Sequence, residues 1–123
     1  MAEYGRQGGD HWLLLSSYGA SRSGQLVLYD SLYSTVSTAT AALVEQLQQL
    51  YSPPPGAVMR PVQRQNDAYS CGLFAVAFAF SIALGQDPCA VRYHRAGMAP
   101  HLLRCLEQGV VLPFPCVPVG GGR

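Results

Sequence analysis

Charged side chains are scarce in this sequence. They make up 12% of the residues, and the net charge is +1 with no run of basic residues, whereas an ordinary soluble domain carries about 25% charged residues. Nucleic-acid binding needs a cluster of Lys and Arg that neutralises phosphates, so we expect no nucleic-acid partner. With so few surface charges, we also expect part of the surface to be covered by another molecule.

Long apolar segments and secretion signals are also missing. The longest apolar run, Leu73 to Leu84, is interrupted by Ser81 and is much shorter than the roughly 20 residues that span a bilayer, so we expect a buried helix and no membrane partner. The first ten residues contain no apolar core of a signal peptide. We therefore expect an intracellular protein, in the nucleus or cytoplasm, whose four cysteines stay reduced.

The sequence has no closely spaced pair of metal ligands. Cys89, His94, His101, Cys105 and Cys116 lie in its C-terminal third, and His101 and Cys105 are four residues apart on one helix face. A structural zinc site usually contains a Cys-x-x-Cys or similar pair, and none occurs here. We expect neither a metal nor a cofactor.

The order of apolar and turn-forming segments predicts one α+β domain with a small mixed sheet packed on a central buried helix. The predicted elements are strands at 11–17 and 25–30, a helix at 35–51 ended by three prolines, a short strand at 57–62, a polar loop at 63–70, a buried helix at 71–84, a helix at 98–108 and a loose tail from Pro113. Gly85 and Gly109 are expected to end the last two helices.

The first two strands are expected to bring a histidine next to an aspartate. If they pair antiparallel around a loop centred between Ala20 and Ser21, His11 lies opposite Asp30. Directly opposed side chains lie on the same face with Cβ atoms about 4.5–5.5 Å apart, close enough for an imidazole to donate to a carboxylate. A slip of one residue would send them to opposite faces.

Cys71 is the candidate nucleophile because it lies where a polar loop becomes the buried helix. The unpaired N–H groups and positive dipole end of a helix N-terminus favour a thiolate, and a nearby imidazolium favours it further. Gly72 would let a substrate backbone approach closely. The preceding loop offers Gln65, Asn66 and backbone amides as donors to an oxyanion.

These residues resemble the sentrin-specific, or ubiquitin-like-protein-specific, cysteine protease family. The resemblance rests on His11-Trp12, on Tyr29-Asp30-Ser31-Leu32, and on Gln65 followed six residues later by Cys71-Gly72. It covers about residues 10–115. The segments that start at Asp30, Cys71 and Cys105 are similar to divergent animal members associated with mobile elements.

The resemblance implies a papain-like fold of the adenain-like type and a triad of Cys71 as nucleophile, His11 as base and Asp30 as orienting acid, with Gln65 in the oxyanion hole. It implies that Trp12 covers a narrow channel holding the Gly-Gly end of a ubiquitin-like modifier such as SUMO, and that the bond after the second glycine is cleaved. The expected partners are that modifier and its conjugates, and the expected state is a monomer.

Two features depart from the family pattern. Ser70 stands where members usually carry an acidic residue before the nucleophile. Family catalytic domains also extend well upstream of the His-Trp strand, so we expect a domain truncated at its N-terminus that lacks much of the modifier-binding surface. The expected organisation is a leader at 1–10, a partial catalytic domain at 11–115 and a flexible tail at 116–123.

Simpler interpretations remain open for each residue. His11 could merely begin a strand, Asp30 could begin a turn, Cys71 could be a buried apolar residue, Gln65 could serve only loop amides and Trp12 could be core. At the level of function, the alternatives are an inactive module that binds a modifier and an acyltransferase that uses the same Cys, His and acid order.

Overall fold

The computed structural model describes residues 11–17 and 25–120. Its elements in chain order are β1 (Leu14–Ser16), β2 (Gln25–Tyr29), α1 (Thr38–Gln48), β3 (Gly56–Arg60), α2 (Cys71–Ala83), a 3₁₀ turn (Pro88–Ala90), β4 (Val91–Tyr93), α3 (Arg95–Gln108) and β5 (Cys116–Pro118). In these ranges the chain forms a small mixed α+β domain of three α-helices and two small sheets. The predicted leader at 1–10 and loop centre at Ala20 and Ser21 lie outside the described residues, as do the last three residues of the predicted tail.

The first sheet has the order β1-β2-β3. Strands β1 and β2 are antiparallel, as predicted, and β3 is parallel to β2, with α1 between them in the chain. The predicted register was wrong by two residues, because Leu14 rather than Trp12 lies opposite Tyr29. A shift of two preserves the face to which each side chain points. His11 therefore precedes β1 and reaches Asp30 diagonally rather than from directly across the hairpin.

Helix α1 is shorter than predicted at both ends. It starts after Ser37, whose hydroxyl accepts a hydrogen bond from the Thr40 amide at 3.1 Å. This side-chain cap satisfies an amide that has no partner within the helix, which fixes the start at Thr38 rather than 35. The helix ends at Gln48, before the prolines that forbid its continuation.

Helix α2 forms the centre of the fold, as its composition predicts. No residue from Cys71 to Ile82 is exposed, and Gly85 follows with a φ of 80° that suits glycine at a helix end. The core cluster around the helix consists of Tyr29, Phe74, Ala77, Phe78, Val91, Tyr93, Met98 and Phe114. Burial of this aromatic-rich set is what holds α2 in a fixed position.

The C-terminal third differs from the prediction. Helix α3 starts at Arg95, three residues earlier than expected, and includes Pro100. The segment predicted as a loose tail contains β5, which pairs antiparallel with β4, so residues 116–118 belong to the domain. The sequence pattern does not predict β4 or β5, because each strand has only three residues and β5 contains Pro118, a residue that disfavours strands.

None of the helices in the described ranges has the length and apolar character needed to cross a membrane.

Candidate functional site

His11 and Asp30 form a hydrogen-bonded pair. Nε2 of His11 lies 3.0 Å from Oδ2 of Asp30, and the two side chains are 13% and 3% exposed. An ionised carboxylate can only accept hydrogen bonds, so Nε2 carries the proton of this bond. The neutral imidazole then has its lone pair on Nδ1, which is the arrangement that a general base requires.

Asp30 also shapes the turn that follows β2. Its Oδ1 accepts hydrogen bonds from the amides of Leu32 at 2.8 Å and Tyr33 at 3.0 Å, as in an Asx turn. Asp30 therefore bonds the turn through Oδ1 and the imidazole through Oδ2, so its place in the turn does not exclude an orienting role. The Tyr33 ring packs edge-on against the imidazole with the ring centroids 4.9 Å apart, which limits rotation of His11.

The second ring nitrogen of His11 is unusual. Nδ1 is buried and has no hydrogen-bond partner among residues 11–17 and 25–120. A buried polar atom without a partner costs free energy, and such atoms in native structures call for an explanation. A role as acceptor of a proton in a reaction is one such explanation.

The Cys71 thiol lies beside the backbone of the same histidine. Cys71 is the first residue of α2 and is 3% exposed, and the Trp12 amide donates to its Sγ at 3.4 Å. That amide belongs to the peptide joining His11 to Trp12, and Nδ1 is the imidazole nitrogen nearer to the main chain. None of the four cysteines forms a disulfide, so the fold brings a thiol, an imidazole and a carboxylate into one neighbourhood.

Trp12 covers the start of α2 without being part of the core. The residue is 63% exposed, which rules out the interpretation of Trp12 as a core residue. A Cβ atom on Gly72 would lie 3.8 Å from Trp12 Cδ1, an ordinary van der Waals distance. The indole therefore lies close above Gly72, and glycine is not required there by steric conflict with Trp12.

Gln65 joins two segments of the site. Its Oε1 accepts from the Ser31 hydroxyl, its Nε2 donates to the Asp67 carbonyl at 2.8 Å, and its backbone amide donates to the Ser31 carbonyl at 2.9 Å. Its side chain thus bonds a hydroxyl and a carbonyl rather than loop amides. A carboxamide carries two N–H hydrogens, and only one is committed to Asp67.

Asp67, Ser70 and Arg95 form a polar cluster that we did not predict from the sequence. Asp67 Oδ2 accepts from the Ser70 hydroxyl at 2.6 Å, and Arg95 Nε donates to that same hydroxyl oxygen at 2.6 Å. Asp67 Oδ1 accepts from the amides of Tyr69 and Ser70 at 2.9 and 2.7 Å. The hydrogen bond from the Ser70 hydroxyl, helped by these amides and by Arg95, holds the pKa of Asp67 below its usual value.

A local signal existed for half of this cluster. An aspartate three residues before a serine at the start of a helix is typical of side chains that bind nearby backbone amides. No signal existed for Arg95, because it comes from α3, 25 residues further along the chain.

Comparison of the chain with protein-family models, with curated proteins and with solved structures finds no match.

Proposed function

We propose that this chain is a cysteine peptidase or isopeptidase of papain-like type that cleaves after the C-terminal Gly-Gly of a ubiquitin-like modifier. The observation that carries the proposal is how the site uses His11: its Nε2 is bonded to Asp30, its Nδ1 is buried without a partner among the described residues, and the amide that follows it in the chain donates to the Cys71 sulfur. The identity of the modifier class comes from the resemblance of the motifs around these residues.

The reaction follows from these roles. Nδ1 of His11 takes the thiol proton, and the Cys71 thiolate attacks the carbonyl carbon of the terminal glycine. The leaving amine then takes the proton from Nδ1 as the C–N bond breaks, which leaves a thioester on Cys71. Water, deprotonated by the same nitrogen, hydrolyses the thioester and restores the thiol. Asp30 keeps the imidazole in the required tautomer throughout.

Donors for the oxyanion are available at the same place. The amides in the first turn of a helix have no carbonyl partner within that helix, and Cys71 is the first residue of α2. The second N–H of Gln65 is a further candidate donor. The exposed indole of Trp12 beside Gly72 offers a flat apolar surface against which the extended Gly-Gly end of a modifier would pack.

Covalent trapping tests the proposal. The chain is incubated with a panel of ubiquitin-like modifiers that carry an electrophile in place of the C-terminal carboxylate, and adducts are detected by intact mass. We expect a one-to-one adduct with at least one modifier, located at Cys71 by peptide mapping, and no adduct with Cys71→Ser.

Cys89→Ser provides a matched control. Cys89 undergoes the same chemical change, but burial raises the pKa of its thiol to about 11, so it is a poor nucleophile and the variant should form the adduct as the wild type does. No adduct with any modifier, or an adduct that persists in Cys71→Ser, would overturn the proposal. Labelling of Cys71 by acetyl-CoA in place of modifiers would instead favour the acyltransferase.

A further inference from the structure

The loop before α2 is held by a side chain that takes no part in the proposed chemistry. Asp67 is not in contact with His11 or Asp30 in any hydrogen bond of the described residues, yet both of its carboxylate oxygens are used. They bind the amides of Tyr69 and Ser70 and the hydroxyl of Ser70. The residue that immediately precedes Cys71 is therefore fixed through both its backbone and its side chain.

Arg95 completes the restraint from a separate element. Ser70 is fully buried, its hydroxyl hydrogen is given to Asp67, and its oxygen accepts from Arg95 Nε at 2.6 Å. Arg95 Nε also lies 3.7 Å from Asp67 Oδ2. Hydrogen bonds between charged groups and a hydroxyl are stronger and shorter than neutral ones, so the orientation of Ser70 is determined by two charged partners.

The same aspartate is connected to the acid of the triad. Its carbonyl oxygen accepts from Gln65 Nε2, and Gln65 is bonded through both its side chain and its backbone to Ser31. Ser31 follows Asp30 in the chain and is buried. A continuous series of hydrogen bonds therefore runs from the segment that carries the carboxylate to the segment that carries the thiol.

We propose that Asp67 is a positioning residue: through Ser70 it fixes the backbone from which Cys71 projects, and through Gln65 it ties that backbone to the Asp30 segment. This role deepens the proposed function, because a nucleophile must be held within about 1 Å of its productive geometry for rapid reaction. Although Ser70, the residue before the nucleophile, is not acidic, its hydroxyl is bonded to the carboxylate of Asp67. A negative charge is therefore present next to this position.

The Trp12 amide provides a direct reporter of the sulfur. This amide donates to Cys71 Sγ, and it is 55 residues away in sequence from Asp67. Its hydrogen exchange, measured by NMR on the full chain, should slow when the sulfur is held in place and accelerate when it is not. Cys71→Ala removes the acceptor and sets the exchange rate expected without the contact.

We expect Asp67→Asn and Arg95→Ala each to accelerate Trp12 exchange by about tenfold, as expected when one charge-assisted hydrogen bond is lost. Arg95→Lys, which keeps the charge, should restore at least part of the protection. Arg92→Ala is the matched control: Arg92 is exposed in β4, three residues from Arg95, and its removal should leave the exchange rate within about twofold.

Two comparisons decide the outcome. The amides of Leu26 and Leu28, buried in β2, should keep their protection in every variant, because positioning acts locally and general destabilisation does not. Unchanged Trp12 exchange in both Asp67→Asn and Arg95→Ala would overturn the proposal. Equal acceleration of Trp12 and the β2 amides, or wild-type exchange that does not respond to Cys71→Ala, would overturn it as well.

The measurement needs neither a modifier nor turnover. Failure of the proposed function would appear as absence of the Cys71 adduct while Trp12 exchange still depends on Asp67. Failure of the positioning role alone would appear as Trp12 exchange that is unchanged in Asp67→Asn and Arg95→Ala while the Cys71 adduct still forms.

Discussion

A buried serine with two side-chain hydrogen bonds lies at each end of α2, but the bonding partners differ between the two ends. At each end a fully buried serine donates its hydroxyl hydrogen to one side chain and accepts a hydrogen bond from another. Ser70 lies between Asp67 and Arg95, which are charged. Ser81 lies between Gln86 and Tyr93, each at 2.7 Å, which are neutral. Because Ser81 gives its hydrogen to Gln86, Tyr93 must be the donor of the other bond.

The surroundings of the two serines differ as well. Tyr93 packs against Phe74 and Phe78, with ring centroids 6.2 and 5.9 Å apart, so the Ser81 end lies in the core. Asp67 and Arg95 side chains are 21% and 39% exposed, so the Ser70 end lies at the surface. A neutral buried pair contributes mainly to stability, whereas partly exposed charges contribute little to stability and can be used to hold a reactive group in place.

The largest difference between the ends should appear on substitution of Asp30, which belongs to the site at the Ser70 end. Asp30→Asn keeps a carbonyl oxygen that can accept from Leu32 and Tyr33, so the turn should persist. Its amide group would present a donor to Nε2 of His11 and favour the wrong tautomer. We expect the rate of modifier trapping, measured as a second-order rate constant, to fall by roughly 10³-fold or more.

Asp87→Asn is the control for Asp30→Asn, because Asp87 is a partly exposed carboxylate that is bonded to Arg60 at 3.2 Å and caps the 3₁₀ turn at Pro88–Ala90. It should trap the modifier at the wild-type rate. A fall of less than about tenfold for Asp30→Asn, which corresponds to about 1.4 kcal/mol, would contradict the orienting role and weaken the functional contrast between the ends.

At the Ser81 end we expect an effect on stability rather than on reactivity. Tyr93→Phe removes the donor to Ser81 within the core, and we expect the free energy of unfolding to fall by about 1–2 kcal/mol in urea titrations at pH 7. Trapping per folded molecule should stay near the wild-type rate. Tyr51→Phe, at a tyrosine that is 43% exposed, is the control and should change stability little.

The ionisation of Tyr93 should also make the free energy of unfolding decrease at alkaline pH. Burial raises the pKa of Tyr93 to about 12, whereas an unfolded tyrosine titrates near 10. Its contribution is therefore present below about pH 10 and is lost as the pH rises towards 12. The unfolding free energy of Tyr93→Phe should fall less over this range than that of the wild type, and an identical fall would contradict the assignment.

The difference between the two ends also explains what the sequence could predict. The apolar composition of α2 and the glycine after it predict the helix, its burial and its end before Gly85. The approach of His11 to Asp30 was predicted because strand pairing preserves the face of a side chain, so that an error of two residues in register left the pair intact. The N-cap at Ser37 and the strands β4 and β5 were missed because each depends on a few local contacts.

The polar clusters could not be predicted because their members come from separate elements. Arg95 reaches Ser70 from α3, and Tyr93 reaches Ser81 from β4, and no periodicity or spacing relates these pairs. The resemblance predicts Gln65 as a donor in the oxyanion hole, and that role stays a prediction. The structure adds its bonds to Ser31 and Asp67, which give it a role in connecting the two segments.

The smallest expected effect is a loss of stability at acid pH that arises at the Ser70 end of α2 alone. The pKa of Asp67 is held below its usual value near 3.8, chiefly by the Ser70 hydroxyl. A carboxylate whose pKa is lowered by folding contributes stability above its unfolded pKa, and that contribution is lost as the pH falls through the folded pKa. Thermal unfolding midpoints of the wild type should therefore decrease below about pH 4 more than those of Asp67→Asn.

The two variants, compared with each other, test whether the ends of α2 are independent. Tyr93→Phe should keep the loss of stability at acid pH, the acid limb, and Asp67→Asn should keep the loss at alkaline pH, the alkaline limb. If either variant flattened both limbs, the two ends of α2 would be energetically coupled, and the separation of a reactive end from a stabilising end would be wrong.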